Sequence, residues 1–282
     1  GMRDHVHLAG LHVHIGSQIT DKSSYGEAGR FIAEQVTHVE SARGQALDHI
    51  NVGGGFPVNY VKYNDQSPDI GYYHADFSHA DIAATVMGPL HDRLGRDREV
   101  VIEPGRSMVC DTAVHLARVE NVKHRGIDPW LLLDAGYHTL MESFSYRWYF
   151  HTLTANRLDE NETNLFRLVG PLCDNGDSFY DVEGEATIRR LMTAEPGLAP
   201  HRDLLEKTLI HQPGYRELPA STGPGDLIAF LDVGAYGMDQ LFAMNGRGRP
   251  EVAMVRADGS VDTIRRADSV DDLYLNEVFA GA

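Results

Sequence analysis

The sequence predicts an α/β fold of parallel strands over roughly its first hundred residues, then a mostly antiparallel β domain. Up to Ser107, apolar runs of strand length alternate with stretches of helical period. Such alternation implies parallel strands joined by right-handed crossovers. Each of these strands runs straight into polar or glycine-rich residues, at the end where α/β folds place their sites. Beyond Ser107 the texture changes to short β-like runs separated by turn residues. The expected domains are therefore 1–107 and 108–282.

In order, the run from His7 to His14 reads as a strand that ends at Gly16. Ser24-Tyr25-Gly26-Glu27 has capping-box spacing. Tyr25, Ala28, Phe31, Ile32, Val36 and Val39 then fall on one helical face, which Gly44 stops. A second strand, about Leu47 to Val52, meets Gly53-Gly54-Gly55. A second helix, about Asp81 to Leu94, follows Ser78 as cap. A third strand, Glu99 to Ile102, meets Glu103-Pro104-Gly105-Arg106. A complete (β/α)8 barrel takes about 250 residues, so three units make less than half of one. In the second part, strands are expected at Met108–Val122, Trp130–Asp134, Leu165–Leu172, Asp226–Val233 and Glu251–Val255, with long helices scarce until Ser269–Phe279.

Composition narrows the function. The 282 residues carry Lys+Arg 25 against Asp+Glu 41, a formal charge of -16. An acidic surface repels phosphate backbones and draws in cationic molecules, so nucleic-acid binding is not expected. No apolar run approaches the roughly 20 residues of a membrane span. Cys110 and Cys173 are the two cysteines, too few for a disulfide scaffold, which predicts a reducing, cytoplasmic setting.

Three loops carry candidate chemistry. Gly53-Gly54-Gly55 after a strand lets backbone N–H groups approach an anion, or simply makes a tight turn. Glu103 and Arg106 close the next strand, as a solvated ion pair or as two grips on one ligand, guanidinium on phosphate and carboxylate on a ring nitrogen. His12 and His14, two apart on a strand, share a face as in zinc hydrolases. A metal site needs further ligands at later strand ends, and those ends offer no histidine. No metal is expected, and a hydrolase built on His12 and His14 is kept as an alternative.

Taken together the loops resemble a known family. Gly10-Leu11-His12-Val13-His14-Ile15-Gly16-Ser17-Gln18 is similar to the stacking-histidine segment of fold-type III pyridoxal-5'-phosphate decarboxylases, which act on ornithine, diaminopimelate, arginine or lysine. Asn51-Val52-Gly53-Gly54-Gly55-Phe56-Pro57 resembles their phosphate loop, and Glu103 to Ser107 their next signature. Gly170-Pro171-Leu172-Cys173-Asp174-Asn175-Gly176-Asp177 resembles the Cys-acidic motif, and Asp232-Val233-Gly234-Ala235-Tyr236-Gly237 the late tyrosine motif. The resemblance implies the C-terminal part of an alanine-racemase-like (β/α)8 barrel, about three βα units, with the segment around 234–245 packing back on it. It implies that His14 stacks on the pyridine ring, and that Ser17, Gly53, Gly54, Gly55, Gly105, Arg106 and Tyr236 hold the phosphate. Glu103 then pairs with the pyridine nitrogen, Cys173 returns a proton after CO2 loss, and Asp174 grips the distal amine of a small amino acid substrate. In the family the last two residues reach the partner subunit's site, which implies a homodimer.

Two departures follow. The family's cofactor-bearing lysine precedes the stacking histidine, whereas the four lysines here, Lys22, Lys62, Lys123 and Lys207, all follow it. The residues thus read as the C-terminal portion of a longer enzyme, inactive alone, or as a non-catalytic relative that keeps the dimer surface. Glu142 stands near the position where diaminopimelate decarboxylases carry a substrate-gripping arginine, and a glutamate there repels a carboxylate. With Asp174, this favours an ornithine-like basic or diamino acid, or a larger conjugate against the aromatic stretch Phe144–Phe150.

Overall fold

The computed structural model describes residues 5–62, 72–126 and 128–278. The chain divides into two compact units, one up to Asp111 and one from Thr112 onward.

In the first unit, β1 (Gly10–His12), β2 (His49–Asn51) and β3 (Val100–Val101) form a parallel sheet in the order β1-β2-β3. The helices α1 (Lys22–Arg43) and α2 (His79–Leu94) are the crossovers, and α3 (Gly105–Val109) follows β3. The strands are shorter than expected, because each leaves the ladder as soon as its polar loop begins. Ile50, Val52, Tyr25, Ile32, Val36, Ile82, Val86 and Leu90 make one buried cluster between sheet and helices. Phe31, expected on that face, is instead 57% exposed. The start of α1 also differs from expectation. Asp21 is its N-cap, accepting from the Ser23 N–H at 2.9 Å, and Ser24 lies inside the helix. An aspartate next to the helix supersedes the serine because its carboxylate reaches the orphan N–H first. Gly44 at φ 68 closes α1 as expected. Ser78 and Asp81 form a full capping box on α2.

In the second unit, six strands form one sheet: β4 (His115–Arg125), β5 (Asp128–Leu133), β6 (Thr152–Thr154), β7 (Thr163–Val169), β8 (Arg216–Pro219) and β9 (Leu227–Phe230), in the order β6-β9-β4-β5-β7-β8. Among their pairings β5–β7 is parallel and the others are antiparallel. A separate antiparallel pair joins β10 (Val252–Val255) to β11 (Val261–Arg265). Residues 108–112, expected to open a strand, are helical. The expectation of scarce helices also fails. The helices α4 (Met141–Ser145), α5 (Val182–Ala194) and α6 (Arg202–Leu209) precede α7 (Val270–Leu273), which is far shorter than the expected Ser269–Phe279, and Phe279 lies outside the described residues. The helices α5 and α6 are short, and Pro196, Gly197 and Pro200 between them read as turn residues. Of the aromatic stretch Phe144–Phe150, Trp148, Tyr149 and Phe150 are buried in the core and do not line an open pocket.

Candidate functional site

The register of the first sheet assembles the site. His12 pairs with Asn51 and Asn51 with Val101, so the carboxyl ends of the strands lie level. Two residues further on, the Glu103 N–H donates to the Gly53 carbonyl at 2.8 Å. His12, His14 and Glu103 consequently present ligand-type atoms within 4.8 Å of one another, all on exposed side chains.

The glycine run is dictated by backbone packing. A Cβ on Gly53 would stand 2.5 Å from the Val13 carbonyl oxygen, one on Gly54 2.0 Å from that of Glu103, and one on Gly55 2.1 Å from that of Gly16. The three loops therefore meet backbone to backbone. The Gly53 N–H donates to Asn51 Oδ1 at 2.8 Å and the Gly54 N–H to His14 Nδ1 at 3.2 Å. The Gly105 N–H donates to the Glu103 carbonyl at 2.9 Å. Arg106 Nη1 donates to the buried Tyr60 hydroxyl at 2.9 Å. Ser17 is exposed beside Gln18, whose buried amide clamps Val58 from both sides, accepting its N–H at 3.0 Å and donating to its carbonyl at 2.7 Å. Asn51 Nδ2 donates to Glu103 Oε1 at 2.8 Å. Gln18 and Asn51 sit inside motifs legible in the sequence, yet their work is to hold other residues, a role that no spacing announces.

Glu103 supplies the third ligand type that the metal alternative lacked. The hydrogen bond at His14 argues against that alternative. The Gly54 N–H takes the lone pair of His14 Nδ1, so that atom is not open to a metal. The donor set fits a flat aromatic phosphate ester instead. There is an imidazole for the ring, a carboxylate for a ring nitrogen, and serine, glycine and arginine for the phosphate. Of the lysines, Lys22 opens α1, Lys62 donates to the Asn59 carbonyl at 3.0 Å, and Lys123 and Lys207 lie on β4 and α6.

The second unit brings together the remaining candidates. Cys173 and Asp174 are both exposed, and the Cys173 N–H donates to Asn245 Oδ1 at 2.9 Å. Asp174 accepts from the Gly176 N–H at 2.7 Å and from the Tyr137 hydroxyl at 3.3 Å. Tyr137 stacks on Phe144 at 4.6 Å, and burial together with the Asp174 carboxylate pushes its phenol above the usual range. Phe144, Asp174, Arg147 and Glu183 are among the residues lining a cavity of about 310 Å³. Glu142, offered above as a substrate contact, is 3% exposed, a buried group at the start of α4. Tyr236 holds a left-handed backbone at φ 63 with its side chain 44% exposed, so it is not a core aromatic, whereas Phe230 is. Cys110 is buried, and both thiols are free.

Strand-end loops of this make-up on a parallel sheet, followed by a sheet domain carrying a Cys-Asp loop, define a pyridoxal-phosphate-binding protein of the barrel-plus-sheet class. Residues 1–110 match the pyridoxal binding domain of the pyridoxal-dependent decarboxylases, and residues 107–195 match their C-terminal sheet domain. Diaminopimelate decarboxylase of Archaeoglobus fulgidus is 30% identical over 273 residues, 96% of this chain and 54% of the relative. That of Methanocaldococcus jannaschii is 28% identical over 275 residues, 98% of this chain and 52% of the relative. The crystal structure of the M. jannaschii enzyme superposes with TM-score 0.72 at 25% identity, covering 97% of this chain and 52% of that one. Its complex with L-lysine gives TM-score 0.71 at 26% identity, with coverages of 96% and 52%. The chain belongs to the fold-type III pyridoxal-dependent decarboxylase family. It spans about half the length of the curated relatives it matches. Among the described residues no helix is long and apolar enough to cross a membrane.

Proposed function

We propose that these residues are the C-terminal portion of a pyridoxal-phosphate-dependent decarboxylase acting on a basic or diamino acid, assembled as a homodimer with shared sites. The observation that carries the reading is the arrangement at the strand ends, where Gly54 fixes His14 and Asn51 fixes Glu103 within one exposed cluster. When bound, the cofactor supplies an electron sink for the pair left as the α-carboxylate departs. His14 would pack against the ring, and Glu103 would hold a proton at the ring nitrogen. Ser17, Gly55, Gly105, Arg106 and Tyr236 would hold the phosphate, while Gly53 and Gly54 bring the backbones together. Cys173 would give its Sγ proton to the substrate's α-carbon once CO2 has left, and Asp174 would hold the distal ammonium.

Two details bear on substrate. The diaminopimelate decarboxylases matched here support a diamino acid, while Asp174 and the acidic surface favour a cationic over an anionic tail. None of the four lysines stands before His14, the side on which the family carries its cofactor-bearing lysine.

The test is to add pyridoxal phosphate to the purified chain, reduce with borohydride and weigh the intact protein. No gain in mass is expected for the chain alone, together with measurable non-covalent binding that Glu103→Gln weakens. Stoichiometric gain of one pyridoxyl group would place the anchor on one of these lysines. Absence of any binding would overturn the assignment of the cradle.

A further inference from the structure

One buried carboxylate of the second unit is not called on by the reaction. Asp177 is 4% exposed, and its Oδ1 accepts the Tyr137 N–H at 2.9 Å while its Oδ2 accepts the Leu172 N–H at 2.7 Å. Its own carbonyl accepts the Gly170 N–H at 2.9 Å, and its N–H donates to the Asp174 carbonyl at 3.2 Å. Two glycines make room for it. A Cβ on Gly170 would stand 2.2 Å from one carboxylate oxygen, and one on Gly136 2.3 Å from the other. One side chain thus ties the 134–137 turn to the loop bearing Cys173 and Asp174. The tie is closed on the far side by the hydrogen bond from the Tyr137 hydroxyl to Asp174.

We propose that Asp177 is the positioning residue of the Cys173–Asp174 pair, locking their loop to Tyr137 so that thiol and carboxylate are held in fixed relation. This rests on the reading of Cys173 as proton donor and Asp174 as amine ligand. A carboxylate suits the position because it accepts at both oxygens. An amide of the same shape would turn one acceptor into a donor facing a backbone N–H, and a glutamate has no space between the two glycines.

The experiment is the pH profile of Cys173 alkylation by iodoacetamide on the full chain, where buried Cys110 stays silent. Asp177→Asn is expected to change the Cys173 rate by about threefold or more, since thiol reactivity follows its local surroundings. Leu218→Ala, a core change on β8 that lowers the melting temperature, leaves the profile unmoved. Should Asp177→Asn fail to fold, Gly170→Ala keeps the carboxylate but displaces it, and the same change is expected. Amide exchange of the unmodified chain adds a reading free of variants, with the Tyr137 and Leu172 amides protected together. A profile in Asp177→Asn or Gly170→Ala equal to that of the parent, or unprotected Tyr137 and Leu172 amides, would overturn the proposal. Neither readout requires turnover, so a chain that never decarboxylates leaves this test standing.

Discussion

Asn51 donates from Nδ2 to Glu103 Oε1 at 2.8 Å while its Oδ1 accepts the Gly53 N–H, also at 2.8 Å. One amide therefore sets both the carboxylate meant for the ring nitrogen and the first residue of the glycine loop. Asn51→Ala is expected to weaken binding of pyridoxal phosphate about tenfold, roughly 1.4 kcal/mol, the worth of one hydrogen bond to a charged group. Asn51→Asp should weaken it further, since it sets a second carboxylate against Glu103. Absorbance titration of the cofactor into each variant reads both effects. Equal affinity in all three proteins would remove Asn51 from the site.

The glycine run makes a prediction about folding. The Gly54 position leaves a Cβ only 2.0 Å from the Glu103 carbonyl oxygen, and that neighbour is backbone, which cannot swing aside. Gly54→Ala should destabilise the first unit by about 1–3 kcal/mol or more, as overpacked sites do. Gly88 on α2 has nothing beyond its chain neighbours near its missing Cβ, and the gain that alanine brings to a helix is offset there by Pro89, which disfavours helical backbone at a preceding residue that bears a Cβ. Thermal melts should show a large drop for Gly54→Ala and only a small change for Gly88→Ala.

This contrast shows what the sequence could convey. Glycine after a strand, serine before a helix and a Cys-Asp loop are local signals, and Ser78, Gly44 and the order of the first three strands could be read from them. The site's end of the sheet was legible too, since parallel strands put their carboxyl ends together. The helices α5 and α6 were not, because they are short and the Pro196, Gly197 and Pro200 between them read as turn signals. The work of Asn51, Gln18 and Asp177 was hidden for another reason. Each holds a partner that is 40 or more residues away in sequence, and only the register of the fold brings the pairs together.

In the second unit a buried carboxylate holds a turn. Asp226 accepts from Arg157 Nε at 2.7 Å, Asn156 Nδ2 at 2.7 Å and the Gly223 N–H at 2.8 Å. These donors hold its carboxyl below the usual range despite burial. Asp226→Asn keeps the shape but loses the charge and leaves Arg157 Nε facing an amide. It is expected to cost about 1–3 kcal/mol, the range for losing hydrogen bonds to a charged group, since Arg157 is only partly buried. Urea unfolding measures it, and a loss below about 0.5 kcal/mol would show the pair to be worth no more than an exposed one.

Acid sensitivity should come first from histidines. Burial depresses the His115 imidazole to about 4, with His138 adding to the effect, and burial likewise lowers His138. The Thr139 hydroxyl lies 3.3 Å from His115 Nε2, a contact between two neutral groups. With the folded value below the unfolded one near 6.5, the unfolded chain takes up the proton first. The stability from neutral burial is therefore complete above pH 6.5 and drains away as pH falls toward 4. Each histidine contributes a slope of at most about 1.4 kcal/mol per pH unit. Asp226 adds its own loss only lower, as pH falls below its unfolded value near 3.8. Urea midpoints between pH 7 and 5 should thus decline in the parent chain and decline less in His115→Gln. If the two curves run parallel across that interval, the ring is not held neutral by the fold.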